Sequence, residues 1–151
     1  MTDSATLDKK ALSERDICTK FITPAITNVA GWNDMQFFEE FTLGKIFVRG
    51  RATMRGAKDR ADYILFYKKN LPIAIIEAKD NNHSVRAGIQ QALDYAHCPD
   101  VPFVFSSNGD GFIFHDKTAI NTSIEMELSL DEFPSPQHLW GKYKVYKGIT
   151  E

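Results

Sequence analysis

Arg60-Ala61-Asp62-Tyr63-Ile64-Leu65-Phe66-Tyr67 and Leu71-Pro72-Ile73-Ala74-Ile75-Ile76-Glu77-Ala78-Lys79 decide how this chain folds. Both are apolar runs of strand character. Lys68-Lys69-Asn70 between them has the composition of a tight turn, which predicts that the two runs fold back on each other as an antiparallel hairpin. Each run carries one carboxylate, and the second carries a lysine two positions further on. Charged side chains are almost never fully buried unless they are paired or coordinated, so something must compensate for these.

With Lys69-Asn70 as the turn, Phe66 faces Ile73, Ile64 faces Ile75 and Asp62 faces Glu77. Opposed Cβ atoms in such a ladder lie about 4.5 to 5.5 Å apart, and Lys79 leaves the strand on the same face as Glu77. A turn at Asn70-Leu71, or a three-residue loop, slips the register and sets Asp62 opposite Ala78 or Lys79; the acids stay close in each case. Two carboxylates at that spacing repel and are desolvated unless one keeps its proton or a cation sits between them. A hard divalent ion, Mg²⁺ or Mn²⁺, suits a site of two carboxylates completed by water and phosphate oxygens. The competing reading is a partly exposed ion cluster in which Lys79 neutralises Glu77.

Asp62 followed by Glu77-x-Lys79 resembles the PD-(D/E)XK nuclease signature, with Ala61-Asp62 where the family name has Pro-Asp. Gln91-Ala92-Leu93-Asp94-Tyr95 adds a Gln-x-x-x-Tyr motif, a feature of PD-(D/E)XK nucleases coupled to DNA translocases. From Arg60 through Phe114, including Ile76-Glu77-Ala78-Lys79-Asp80 and Pro102-Phe103-Val104-Phe105-Ser106-Ser107-Asn108-Gly109, the sequence is similar to the endonuclease domain of the type I restriction enzyme motor subunit. Ser13-Glu14-Arg15-Asp16 through Ala30-Gly31-Trp32 resembles that domain's opening helix, and Phe133-Pro134-Ser135-Pro136 through Leu139-Trp140 its exit.

The resemblance implies an α/β, restriction-endonuclease-like core: a mixed central sheet flanked by helices, a single domain over residues 1–151 that forms the N-terminal part of a larger translocase subunit. It implies a metal-dependent endodeoxyribonuclease. Asp62, Glu77 and Lys79 would be the catalytic residues, and Asp62, Glu77 and the carbonyl of Ala78 would hold Mg²⁺ or Mn²⁺. Between two acids and a phosphate the Lys79 ammonium stays charged, which suits orientation and charge stabilisation better than general-base work. Gln91 and Tyr95 would position DNA or the catalytic loop, and Glu14 would be an auxiliary acid. Double-stranded DNA would be the substrate. The methyltransferase and specificity subunits would be partners through the full-length subunit, and ATP would serve only motor domains outside this sequence, since no phosphate-cradling Gly-rich loop with Lys-Ser/Thr is present. The alternatives are a non-catalytic DNA-engaging module that keeps the nuclease fold, and a stand-alone nuclease such as a junction resolvase.

Composition fits one intracellular, cytoplasmic domain. At 151 residues the chain can bury roughly 68 to 70 per cent of its unfolded surface, enough for a core without disulfides or a structural metal. Cys18 and Cys98 have no ligand spacing and read as reduced, buried thiols. No run approaches a membrane span, and Met1 to Lys10 lacks a signal-peptide core. The net charge of −2 argues against strong DNA binding by the chain alone, because that affinity comes from Lys and Arg on phosphates. One basic stretch, Lys45, Arg49, Arg51, Arg55, Lys58 and Arg60 against Asp59 alone, leads into the Asp62 strand. Arg49, Arg51, Arg55, Lys58 and Arg60 are candidate backbone contacts; the plainer reading is a solvated basic loop.

The remaining pattern predicts a helix capped by Ser13 that Pro24 either kinks or restarts, with Gly31 at its end. Strands are predicted at Gln36–Phe41, Ile46–Arg49, Pro102–Ser106, Gly111–His115 and Ser123–Leu128. Ser84 is predicted to cap a helix reaching His97, and Ser135 a C-terminal helix from Pro136. Lys147-Gly148-Ile149-Thr150-Glu151 reads as the start of a linker. On the Ser84 helix, Val85, Ile89, Ala92, Leu93 and Ala96 form the core stripe and Arg86, Gln90, Asp94 and His97 the polar face. Gln91 and Tyr95 share a boundary face with Gly88, their polar tips free to reach a neighbour; the plainer reading pairs them with each other at the core rim. His83, His97, His115 and His138 lack ligand spacing, and Phe103, Phe105, Phe112 and Phe114 read as core.

Overall fold

A computed structural model of the chain describes residues 8–42, 60–97, 101–119 and 124–149. Six strands form one sheet in sequential order: β1 (Phe37–Thr42), β2 (Arg60–Lys68), β3 (Leu71–Ala78), β4 (Phe103–Ser107), β5 (Gly111–Asp116) and β6 (Glu125–Ser129). All neighbours are antiparallel except β3 and β4, which are parallel and joined by the crossover that contains helix α2 (Ile89–His97). Helix α1 (Glu14–Ile17) opens the chain's first helical segment, and α3 (Pro136–Lys147) closes the fold.

The hairpin turns at Lys69-Asn70, where Asn70 takes φ 65°. Asn is among the few residues that tolerate this left-handed geometry. Tyr63 pairs with Ile76, Ile64 with Ile75 and Leu65 with Ala74, the register expected from that turn. Nearer the turn the expectation fails: Phe66 pairs with Pro72 rather than Ile73, and a register shift flanks it on each side. Pro72 has no N–H to give to a ladder, so the strand bulges beside it.

Ser13 caps α1 through a reciprocal box with Asp16. Pro24 neither restarts the helix nor acquires Thr23 as a cap. Helical geometry continues from α1 through two π-helical stretches, Cys18–Ile22 and Ala25–Val29, with the Thr23 amide reaching back to Cys18 O. A widened ladder lets the helix pass a residue that has no N–H and whose ring crowds the carbonyl four residues back. Gly31, at φ +89°, ends the segment in a conformation that only glycine adopts cheaply.

Two apolar layers cover the sheet. Ile17, Ile22 and Ile26 of the first helical segment and Trp32 just beyond it, with Leu139 and Tyr143 of α3, pack on Tyr63, Leu65, Ile76, Phe103 and Phe105. On the opposite face Ile89, Ala92 and Ala96 of α2 pack on Ile64, Ile75, Val104 and Ile113. The four phenylalanines of β4 and β5 are buried core residues, Phe105 and Phe114 stacking at 4.5 Å. Ser135 caps α3 as expected. The expected cap at Ser84 is corrected: residues 85–88 form turns, and α2 begins at Ile89. The predicted strand at Ile46–Arg49, and Cys98, lie outside the described residues; Cys18 is buried, and burial pushes its thiol up to about 12.

Candidate active site

Alternation along the strands turns Asp62, like Ile64, and Glu77, like Ile75, toward the α2 side of the sheet. The register that pairs Tyr63 with Ile76 brings the two acids side by side at the ends of β2 and β3. Asp62 is anchored: its Oδ2 accepts the Ala78 amide at 2.7 Å. Glu77 is only 5% exposed, and its Oε1 has no hydrogen-bond partner among the described residues. An orphaned carboxylate oxygen at that depth is costly in a native interior and marks a place where a ligand is expected.

The electrostatics separate the two acids. Burial pushes Glu77 up to about 9, the charge of Asp62 adds to this, and Lys79 opposes it. Asp62 is also raised by burial, but the Ala78 amide, a hydrogen bond from Glu77 and the Lys79 charge pull it back. Both acids are raised, and the hydrogen bond between them raises Glu77 while lowering Asp62, so the pair favours keeping a proton with Glu77 as its donor. Glu14, at the start of α1, lies close enough to interact electrostatically with Asp62 and Lys79. Its pKa is raised first by desolvation and then by the Asp62 charge, against a lowering by Lys79.

Lys79 follows β3, and its amide donates to Ser107 O of β4 at 2.9 Å. Its Nζ reaches Gln91 Oε1 at 3.4 Å, and Gln91 Nε2 donates to Tyr95 OH at 2.7 Å. Gln91 and Tyr95 thus bond each other, the plainer of the two sequence readings, and Gln91 also links Lys79 to Tyr95. Gln90 turns away and bonds Asp94. Of the basic stretch, Arg60 is exposed and lies 3.6 Å from Glu40. Arg49, Arg51, Arg55 and Lys58 lie outside the described residues.

Three features escaped sequence reading. Gly88 backs directly onto Glu77. Ser106 and Asn108 hold the loop before α2, through Val85 O and His83 O. Arg15 ties α1 to Glu39 and Glu40 of β1. Only Gly88 had a visible signal, as an isolated glycine within otherwise helical spacing.

Among the described residues no three His, Cys, Asp or Glu side chains cluster at metal-binding spacing. The oxygen donors that the hairpin brings together are the Asp62 and Glu77 carboxylates, hard donors of the kind that suit a divalent ion keeping several waters. The unpartnered Glu77 oxygen is consistent with that fit.

Residues 33–122, from before β1 to beyond β5, match the family model for the type I restriction enzyme R protein N terminus. The chain belongs to this family. A curated relative of this R-protein N-terminal domain is the EcoAI endonuclease subunit of a type I restriction enzyme from Escherichia coli, 47% identical over 151 aligned residues. That alignment covers 97% of the chain but 18% of the subunit, so the chain spans under a fifth of the relative's length. A solved fragment assigned to the HsdR subunit of a type I restriction enzyme from Vibrio vulnificus superposes with a TM-score of 0.74 at 34% identity, covering 93% of this chain and 27% of that one. The R-protein N-terminal domain thus has the α/β, restriction-endonuclease-like fold that its sequence suggested. No helix among its described residues is long and apolar enough to cross a membrane.

Proposed function

We propose that the chain is the metal-dependent endonuclease domain of a type I restriction enzyme R subunit and hydrolyses phosphodiester bonds of double-stranded DNA. The observation that carries this reading is the Glu77 carboxyl, buried beside Asp62 with one oxygen unpartnered. Asp62, Glu77 and the Ala78 carbonyl would hold Mg²⁺ or Mn²⁺. When bound, a divalent ion supplies Lewis acidity at a phosphate oxygen and lowers the pKa of an attacking water.

The chain's own groups do the rest. Ala78 N–H fixes the Asp62 carboxylate, so that one acid needs little reorganisation. Glu77 surrenders its proton when the site fills. Lys79, on the same face two residues on, places a positive charge where phosphate charge develops, and Gln91 orients it from α2. Glu14 adds negative potential to the site. Arg60 and the basic residues before it guide the DNA backbone.

In the full-length subunit, motor domains using ATP would feed DNA to this site, and the methyltransferase and specificity subunits would supply target recognition in the cytoplasm. The test is plasmid cleavage by the full-length subunit in its complex, with ATP and with Mg²⁺ or a chelator. Loss of cutting in chelator, and on Asp62→Ala, supports the reading; undiminished cutting by that variant overturns it.

A further inference from the structure

Gly88 is buried, yet its backbone lies outside the left-handed region, so no turn geometry demands a glycine there. What the position lacks is room. A Cβ at residue 88 would stand 3.1 Å from Glu77 Cγ, 3.3 Å from its Cβ and 3.4 Å from its carbonyl oxygen. Contacts that short require something to give way.

The surroundings decide what gives. The strap from His83 to Gly88 is fastened along its length: Asn108 Nδ2 donates to His83 O at 2.7 Å, and Ser106 Oγ to Val85 O at 2.6 Å. Arg86 binds Glu125 of β6 at 2.6 Å, and Glu125 also meets His115 at 2.8 Å. The Gly88 carbonyl accepts the Ala92 amide at 3.0 Å and so launches α2. The Glu77 backbone is no freer, since it lies in the β3–β4 ladder opposite Ser106. The least secured part of this contact is the Glu77 side chain itself, which is tied only to Asp62 and whose Oε1 has no partner among the described residues.

We infer that Gly88 is a positioning residue for Glu77: its bare Cα, held by the 83–88 strap, sets where the Glu77 methylenes lie and hence where the carboxylate points. The inference rests on the metal-site reading given above. A methyl group at residue 88 leaves the strap in place and turns the carboxylate away from Asp62. Truncating residue 77 to alanine removes Cγ, the atom that collides most closely.

The experiment compares wild type, Gly88→Ala, Glu77→Ala and the double variant of the 151-residue chain. Three readouts are used: Mg²⁺ titration by calorimetry, the side-chain carboxyl ¹³C resonance of Glu77 in metal-free protein, with Ala87→Gly as control, and thermal unfolding of all four proteins without metal. Gly88→Ala is expected to move the Glu77 resonance, where the control does not, and to weaken Mg²⁺ binding by about ten-fold or more. Gly88→Ala is expected to lower Tm in the wild-type background and by much less in the Glu77→Ala background, a coupling that a glycine unrelated to the Glu77 side chain would not give. An unmoved resonance, or Tm losses that simply add in the double variant, overturns the inference. If Gly88→Ala does not fold, the double variant must recover the fold, and failure of both overturns it as well. A moved resonance in a protein whose wild type binds no Mg²⁺ supports the positioning role and sinks the metal-site reading, so the two fail separately.

Discussion

The Ala78 amide donates to the Asp62 carboxylate, and that bond makes two neighbouring acids unequal. At 2.7 Å it favours the ionised form of that carboxylate, against the burial that raises it. Glu77, with no such donor on Oε1, is left to carry the proton. An acid pair arranged this way is poised to take up a cation at the cost of releasing one proton.

That inequality gives a pH signature in metal-free protein. Glu77 keeps its proton in the folded state up to about pH 9, whereas the unfolded chain releases it near 4.5. Between these values the folded state binds more protons, so stability falls as pH rises. Thermal unfolding in chelator should show Tm declining by several degrees across that window, and Glu77→Gln should flatten the decline. An equal slope in the variant would show that Glu77 is not its source. Saturating Mg²⁺ should raise Tm most at the alkaline end.

Asp62→Ala, Glu77→Ala and Lys79→Ala should each lower cleavage by the full-length subunit about a hundred-fold or more, because each removes charge from the site and little core volume. Circular dichroism should show an intact fold in all three. Wild-type cutting by these variants would end the assignment.

The Lys79–Gln91–Tyr95 chain predicts different effects at adjacent glutamines. Gln91→Ala should reduce cleavage about ten-fold with little change in Tm, and Gln90→Ala, whose partner is Asp94, should do neither. Tyr95→Phe, which deletes only the hydroxyl that Gln91 grips, should fall between them. Equal effects of the two glutamines would refute a distinct role for Gln91.

The chain carries net charge −2, and Arg60, the described member of the basic stretch, lies beside Glu40. Its own affinity for DNA should be weak and collapse with added salt, with a shallow slope reflecting few neutralised phosphates. Cleavage by these 151 residues alone should be poor, and efficient in the parent subunit with ATP, where linkage raises the local DNA concentration. Rapid, salt-resistant, ATP-independent cleavage by the chain would favour a stand-alone nuclease.

The sequence made the hairpin and the position of its acids legible because both are local. Lys69-Asn70 sets the turn, and period-two alternation carries the register from Ile64 and Ile75 to Asp62 and Glu77. The core stripe of α2 was legible for the same reason, since Ile89, Ala92 and Ala96 are buried as their spacing implied. Where α2 begins was not. Ser84 has the chemistry of a cap, but the backbone at 83–88 is claimed by Asn108 and Ser106 from a strand some twenty residues on, and no local pattern records that. The grip of Arg15 on Glu39 and Glu40 is long-range in the same way.

The single parallel pairing, β3 with β4, also shapes the order in which the molecule can assemble. β2 and β3 meet through a two-residue turn, a contact of low loop-closure cost, whereas β4 must await a crossover that includes α2. The like-charged acids therefore sit in an early-forming element, while the strap and helix that confine them arrive later. A nascent hairpin can leave both carboxylates in water, and their confinement is deferred to the docking of β4, the step that seats Gly88 against Glu77.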